Sequence, residues 1–147
     1  MTALSFDAPL RFLGPVYSEK LPLSLDVYPI SIWRGAPVII DQSADTGAVV
    51  PADGVTMASG DVFMGIAAEH AVSQLGQEEA TELEVYVWPT IVGFPTTALA
   101  FADMGKDVFM SDSGTLTTST GNYPKIGSLY SIRGGYQYVL LDPPTPK

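Results

Sequence analysis

Apolar and polar residues alternate most cleanly over Leu83-Glu84-Val85-Tyr86-Val87-Trp88, the two-residue period of a half-buried β-strand. Pro89 follows and ends the run, because proline cannot donate to a central ladder. The same period marks Leu23, Leu25 and Val27 against Ser24, Asp26 and Tyr28. Short apolar runs over Pro37–Asp41, Ala48–Val50, Gly60–Ala68, Ile126–Ile132 and Tyr136–Leu141 read as further strands. They are separated by turn composition: Gln42 to Gly47, Asp53-Gly54, Gly121-Asn122-Tyr123-Pro124 and Gly134-Gly135. Ala67–Leu83 is the best helical stretch, but Gly76 and the polar run Gln77-Glu78-Glu79 limit it to one short helix or an exposed loop. Thr90–Thr97, with Gly93 and Pro95, is expected to be a loop or a bulged edge. Ala98–Met104 fits one helical turn or a strand. Asp-Val-Phe-Met occurs twice, at 61–64 and 107–110, and both copies are expected in similar strand positions.

Roughly seven to nine short strands with little helix imply an all-β fold, a small antiparallel barrel or sandwich. Residues 1–33 stand apart. Pro9, Pro15, Pro22 and Pro29 recur every six or seven residues and break any helix, since each fixes φ and lacks an N–H. Between them lie apolar pieces such as Leu10 to Leu13 and Leu21 to Leu25, too apolar for a solvated tail. The segment is either a set of edge strands on its own domain or an extended arm that adds to a neighbouring surface. The residues of 1–33 leave that choice open; 34–142 reads as the β-rich core domain and 143–147, with Pro143, Pro144 and Pro146, as an extended C-terminal tail.

Composition narrows the function. The 147 residues fit one domain, and 46% apolar content is enough for a real core. Charge is sparse at 16% and lopsided, with 16 acids against 7 bases and a net charge of −9. That balance argues against nucleic acid and against an anionic membrane surface, both of which call for clustered Lys and Arg. The absence of cysteine removes disulfides and thiolate chemistry. No apolar run approaches the ~20 residues that span a bilayer as a helix. The N-terminus lacks a basic region followed by an apolar core, so synthesis and folding in a cytoplasm are expected.

Candidate chemistry is thin. Asp45-Thr46-Gly47 is the triplet of retroviral-type aspartic proteases, which pair two aspartates across a dimer axis so that they share a proton. Here Gln42-Ser43-Ala44 precedes it instead of an apolar strand, and we read a turn. His70 beside Glu69 could form an acid–base couple, but a single histidine with no Ser, Cys or metal partner reads as a surface or interface residue. Asp103, Asp107 and Asp112, or Asp41 with Asp45, offer oxygen ligands for calcium without the spacing of a calcium loop. No cofactor or metal is expected. Trp33 with Arg34, and Tyr86 with Trp88, are the aromatic groups suited to binding, since Trp, Tyr and Arg dominate interface hot spots. Trp88 alternates with Val87, and we expect it to face a partner.

A resemblance gives these features a context. The stretch from Ala102-Asp103-Met104-Gly105-Lys106-Asp107-Val108-Phe109-Met110-Ser111-Asp112-Ser113-Gly114-Thr115-Leu116-Thr117 through Ile126–Ile132 to Tyr136–Asp142 is similar to the C-terminal half of tailed-phage capsid decoration (cement, head-stabilising) proteins. In those proteins a Gly-x-x-Val-(Tyr/Phe) strand leads to an Asp/Ser-Gly-Thr-x-Thr hairpin and two further strands. The likeness covers the last third of the chain, with Gly35-Ala36-Pro37-Val38 and Gly65-Ile66-Ala67 adding weaker matches. It implies a β-tulip-like fold, favours an extended N-terminal arm for residues 1–33, and implies a non-enzymatic homotrimer, assembled in a host cytoplasm, that binds the major capsid protein on the outer surface of a mature shell. The residues expected at the capsid or subunit interface are Leu10, Phe12, Leu13, Tyr17, Trp33, Arg34 and Trp88. On this reading, deleting residues 1–20 is expected to abolish shell binding and leave the domain folded. Other readings are an aspartic protease homodimer and a tail-associated or receptor-binding β module.

Overall fold

The computed structural model describes residues 9–22, 30–40, 49–51, 60–73, 82–96, 98–112, 115–121 and 123–146. Their regular elements are strands, in chain order β1 (Arg11–Leu13), β2 (Ser18–Pro22), β3 (Ile30–Ile32), β4 (Pro37–Ile40), β5 (Val49–Pro51), β6 (Val62–Ala67) and β7 (Ala71–Ser73). There follow β8 (Glu82–Tyr86), β9 (Ile91–Phe94), β10 (Asp107–Asp112), β11 (Thr115–Thr117), β12 (Lys125–Arg133), β13 (Tyr136–Leu141) and β14 (Thr145–Pro146). One 3-10 turn, Phe101–Asp103, interrupts the series.

Two antiparallel sheets face each other. The first runs β1-β9-β13-β12-β10-β11 and the second β2-β8-β6-β4-β5, with β14 added to β6. Among the described residues they form a sandwich and do not close into a barrel. Alternation explains why the second sheet can be covered on both faces. On β4, Ile39 points into the space between the sheets, where it joins Phe63, Ile66, Val92, Phe94 and Val139. Its neighbour Val38 points the other way, into a second core with Ile32, Ala67, Leu83 and Val85. The two-stranded ribbon β3-β7 supplies Ile32 and Ala71 to that second core.

The β12–β13 hairpin follows its sequence closely. Gly134 and Gly135 take φ of 54° and 80°, a pair of left-handed positions that glycine adopts without a Cβ clash. Three other readings are revised. Ile91–Phe94 is a central strand, with Val92, Gly93 and Phe94 buried, and Pro95 falls just outside it. Gly93 is accepted there because the Tyr138 ring from the paired strand covers the place its side chain would take. Of the best helical stretch, Ala71–Ser73 is a strand and 74–81 lies outside the described residues. The expected C-terminal tail turns back, pairing Thr145 with Phe63 and Pro146 with Val62.

The repeated Asp-Val-Phe-Met is also corrected. Its copies lie in opposite sheets and in opposite phase: Phe63 is buried where Phe109 is half-exposed, and Met110 is buried where Met64 is half-exposed. A one-residue change of phase turns every side chain to the other face.

The proline-rich segment splits between the sheets. β1 pairs with β9 in the first sheet, and β2 pairs with β8 in the second. Residues 9–22, taken above as part of an arm, therefore adopt the edge-strand alternative.

Candidate interaction surface

Two connections cross between the sheets side by side. Residues 14–17 lead from β1 to β2, and 87–90 lead from β8 to β9. Thr90 joins them. Its buried hydroxyl accepts from the Tyr17 N–H at 2.8 Å and donates to the Tyr17 carbonyl at 3.0 Å. The same carbonyl accepts from the Val87 N–H at 3.0 Å, and the Thr90 N–H closes the turn onto the Val87 carbonyl at 3.0 Å. The Tyr17 backbone is thus fully engaged while its side chain stays out. Val16, Tyr17 and Trp88 are 47%, 44% and 53% exposed. An apolar trio on a fixed backbone can be buried by a partner at little further cost in backbone entropy.

The other expected interface residues divide by position. Leu10 and Phe12 pack against the inter-sheet core, and the Phe12 ring meets Tyr86 edge-on at 4.7 Å. Their apolar surface is used within the chain. Leu13 is half-buried and pairs with Ile91, which pairs in turn with Leu140, making an apolar row across the outer face of the first sheet. Trp33 stacks on His70 at 3.7 Å and 9°, and Arg34 donates to the Tyr86 hydroxyl at 3.4 Å. Of the seven, Tyr17 and Trp88 are brought together as exposed side chains, and Leu13 lies beside the strand that leaves their corner. The sequence reading missed Val16, whose signal was its place between Pro15 and the exposed Tyr17 in a polar-poor crossing.

A second exposed apolar group was not anticipated: Phe101 at 74%, Met104 at 42% and Tyr130 at 49%. The 3-10 turn carries the first, and its Asp103 carboxylate accepts from the Ala100 N–H at 2.9 Å. That bond, followed by the Lys106 ammonium at 3.3 Å, holds the Asp103 carboxyl below its usual range. Beyond Met104, the Gly105 N–H donates to the Leu129 carbonyl, which places the turn beside Tyr130.

Asp107 and Asp142 serve structure. Asp107 and Asp142 lie 3.4 Å and 3.3 Å from the Lys125 ammonium, joining β10, the start of β12 and the end of β13. Burial alone lowers the affinity of Lys125 for its proton, but the two carboxylates outweigh it and raise its pKa above the usual value. Lys125 borders a cleft of about 240 Å³ that Phe63, Phe109, Tyr123 and Pro146 also line. Asp41 and Asp45-Thr46-Gly47 lie outside the described residues. Among the described residues no three His, Asp or Glu side chains gather as metal ligands. Comparison with protein-family profiles, with curated proteins and with solved structures finds no match to this chain.

Proposed function

We propose that this chain is a structural decoration protein, a homotrimer that binds the outer surface of a mature tailed-phage head and stabilises it. The observation that carries the reading is the corner of Val16, Tyr17 and Trp88, exposed on a backbone that Thr90 holds in place. The resemblance of residues 102–142 supplies the head as partner, and the all-β sandwich is compatible with a part that coats a surface. Binding of this kind concentrates in a few aromatic anchors, each worth ~2 kcal/mol or more when truncated.

The test is co-sedimentation with expanded, empty heads of the phage that encodes the chain. Wild type should coat them to saturation, and a Tyr17→Ser, Trp88→Ser double variant should need at least ~30-fold more protein for half-occupancy. Failure of wild type to sediment with the heads would overturn the reading. Unchanged binding by the double variant would move the contact elsewhere on the molecule.

A further inference from the structure

From the second apolar group we infer that the corner of Phe101, Met104 and Tyr130 is a self-association surface, whose occupant is another copy of this chain. It gives a location to the oligomer in the reading above but does not require a head to be present. The exposure of these side chains does not come from a loose loop. Asp103 caps the turn through the Ala100 N–H, and the Met104 N–H donates to the Phe101 carbonyl at 3.2 Å. On one side of the turn the buried Gln137 amide clamps Leu99, donating to its carbonyl at 2.6 Å and accepting from its N–H at 3.2 Å. On the other, the Gly105 N–H bonds to Leu129, and the Leu129 N–H returns a bond to Lys106. Phe101 is nevertheless the most exposed large apolar side chain among the described residues.

Charge decides which of the two apolar corners suits a copy of the chain. Every copy carries −9, so two copies can meet closely only where each is locally balanced, because like charges facing one another oppose association. Around Phe101, Met104 and Tyr130 the charged groups offset each other: Asp103 pairs with Lys106, Asp107 and Asp142 share Lys125, and Arg133 ends β12. These are three acids and three bases. The Tyr17–Trp88 corner adjoins the β2–β8 edge, where Glu19, Glu82, Glu84 and Glu69 outnumber Lys20 and the Arg34 that donates to Tyr86. Two copies joined there would bring acid against acid. The balanced corner is the one that can repeat against itself.

The experiment is the absolute mass of the full chain by light scattering across a concentration series, with no heads in the sample. Wild type should rise above the 15.6 kDa of one chain. A Phe101→Ser, Met104→Ser, Tyr130→Ser variant should associate at least ~10-fold more weakly, and Phe101→Glu alone should do the same by adding charge at the centre of the patch. Both variants alter exposed positions and should keep the wild-type circular dichroism and melting midpoint. Tyr17→Ser with Trp88→Ser should associate like wild type. Added salt should strengthen association, since screening removes the residual repulsion between −9 chains. A wild type that stays at one chain throughout would overturn the inference, as would a folded Phe101→Glu variant with wild-type mass, or association that weakens as salt is added. None of these outcomes depends on head binding, and loss of head binding leaves them intact.

Discussion

Thr90 is the residue on which the aromatic corner turns, because one hydroxyl satisfies both polar groups of the Tyr17 backbone. Thr90→Val keeps the shape and removes both bonds; the Val87 N–H still serves the Tyr17 carbonyl, but the Tyr17 N–H loses its acceptor. The expected loss is ~1–3 kcal/mol in urea unfolding and, on the proposed function, weaker head binding, because one of the three bonds to the Tyr17 backbone remains. Thr90→Ser should restore most of both. Gly127 makes a different demand. A Cβ there would lie 1.9 Å from the Leu140 carbonyl oxygen on the paired strand, and backbone cannot move aside as a side chain can. Gly127→Ala should therefore destabilise by ~1–3 kcal/mol or more, whereas Gly134→Asn, in an open turn with φ of 54°, should change the urea midpoint little. At this scale the sequence was partly legible. Trp88 follows Val87 in a strict alternation, so burying one exposes the other. Phe101 gave no such signal, since a turn has no period and its outward direction depends on the Gln137 clamp, which lies 38 residues from Leu99.

Strands were legible where alternation was undisturbed and hidden where a residue's environment came from another strand. β8, β12 and β13 fall close to their apolar runs. β9 was hidden because Gly93 and Pro95 are poor strand residues in isolation; the cover that Tyr138 gives Gly93 belongs to a distant strand. The copy of Asp-Val-Phe-Met in β10 reads the same as that in β6 but faces the other way: Val108 and Met110 turn into the inter-sheet core in β10, whereas Phe63 does so in β6. The same region yields a pH prediction. Lys125 has its pKa raised by Asp142 and Asp107 against the opposing effect of burial, so the charged amine is favoured more in the folded chain than in the unfolded one. Its contribution is complete below 10.5 and is lost as pH rises through the higher folded value. Asp103, lowered from 3.8, contributes above that value and loses its contribution as pH falls through the lower folded one. Lys125→Met should melt below wild type at neutral pH, and the gap should narrow as pH climbs beyond 10.5, measured as the difference of the two midpoints. A gap of constant width would mean that the ion pairs contribute nothing to stability.

The whole molecule is a sandwich whose two sheets are tied by the very segment that composition marked as separate. Regular turn signals made the all-β class legible, but no local pattern states which strands pair or that the chain changes sheet between Leu13 and Ser18. That crossing alters what truncation should do. Removing residues 1–20 takes away β1 and Ser18 to Lys20 of β2, and with them the pairing along one edge of each sheet. It also removes the Phe12 ring from Tyr86 and the Leu10 and Phe12 contacts with the inter-sheet core. A fully buried phenylalanine truncated to alanine costs ~3–5 kcal/mol, and the half-buried Phe12 accounts for some part of that. The lost ladder and the newly exposed edges of β8 and β9 add to it. Against a total stability of ~5–15 kcal/mol for a domain of this size, the deletion should lower the urea midpoint severely or leave the chain unfolded, so loss of head binding by that variant would say nothing about an arm. Tyr17→Ser with Trp88→Ser separates the two effects, because both side chains are exposed and the variant should unfold at the wild-type midpoint while binding heads poorly. If the 1–20 deletion unfolds at the wild-type midpoint instead, β1 and β2 do not stabilise the sandwich, and the segment acts as an arm after all.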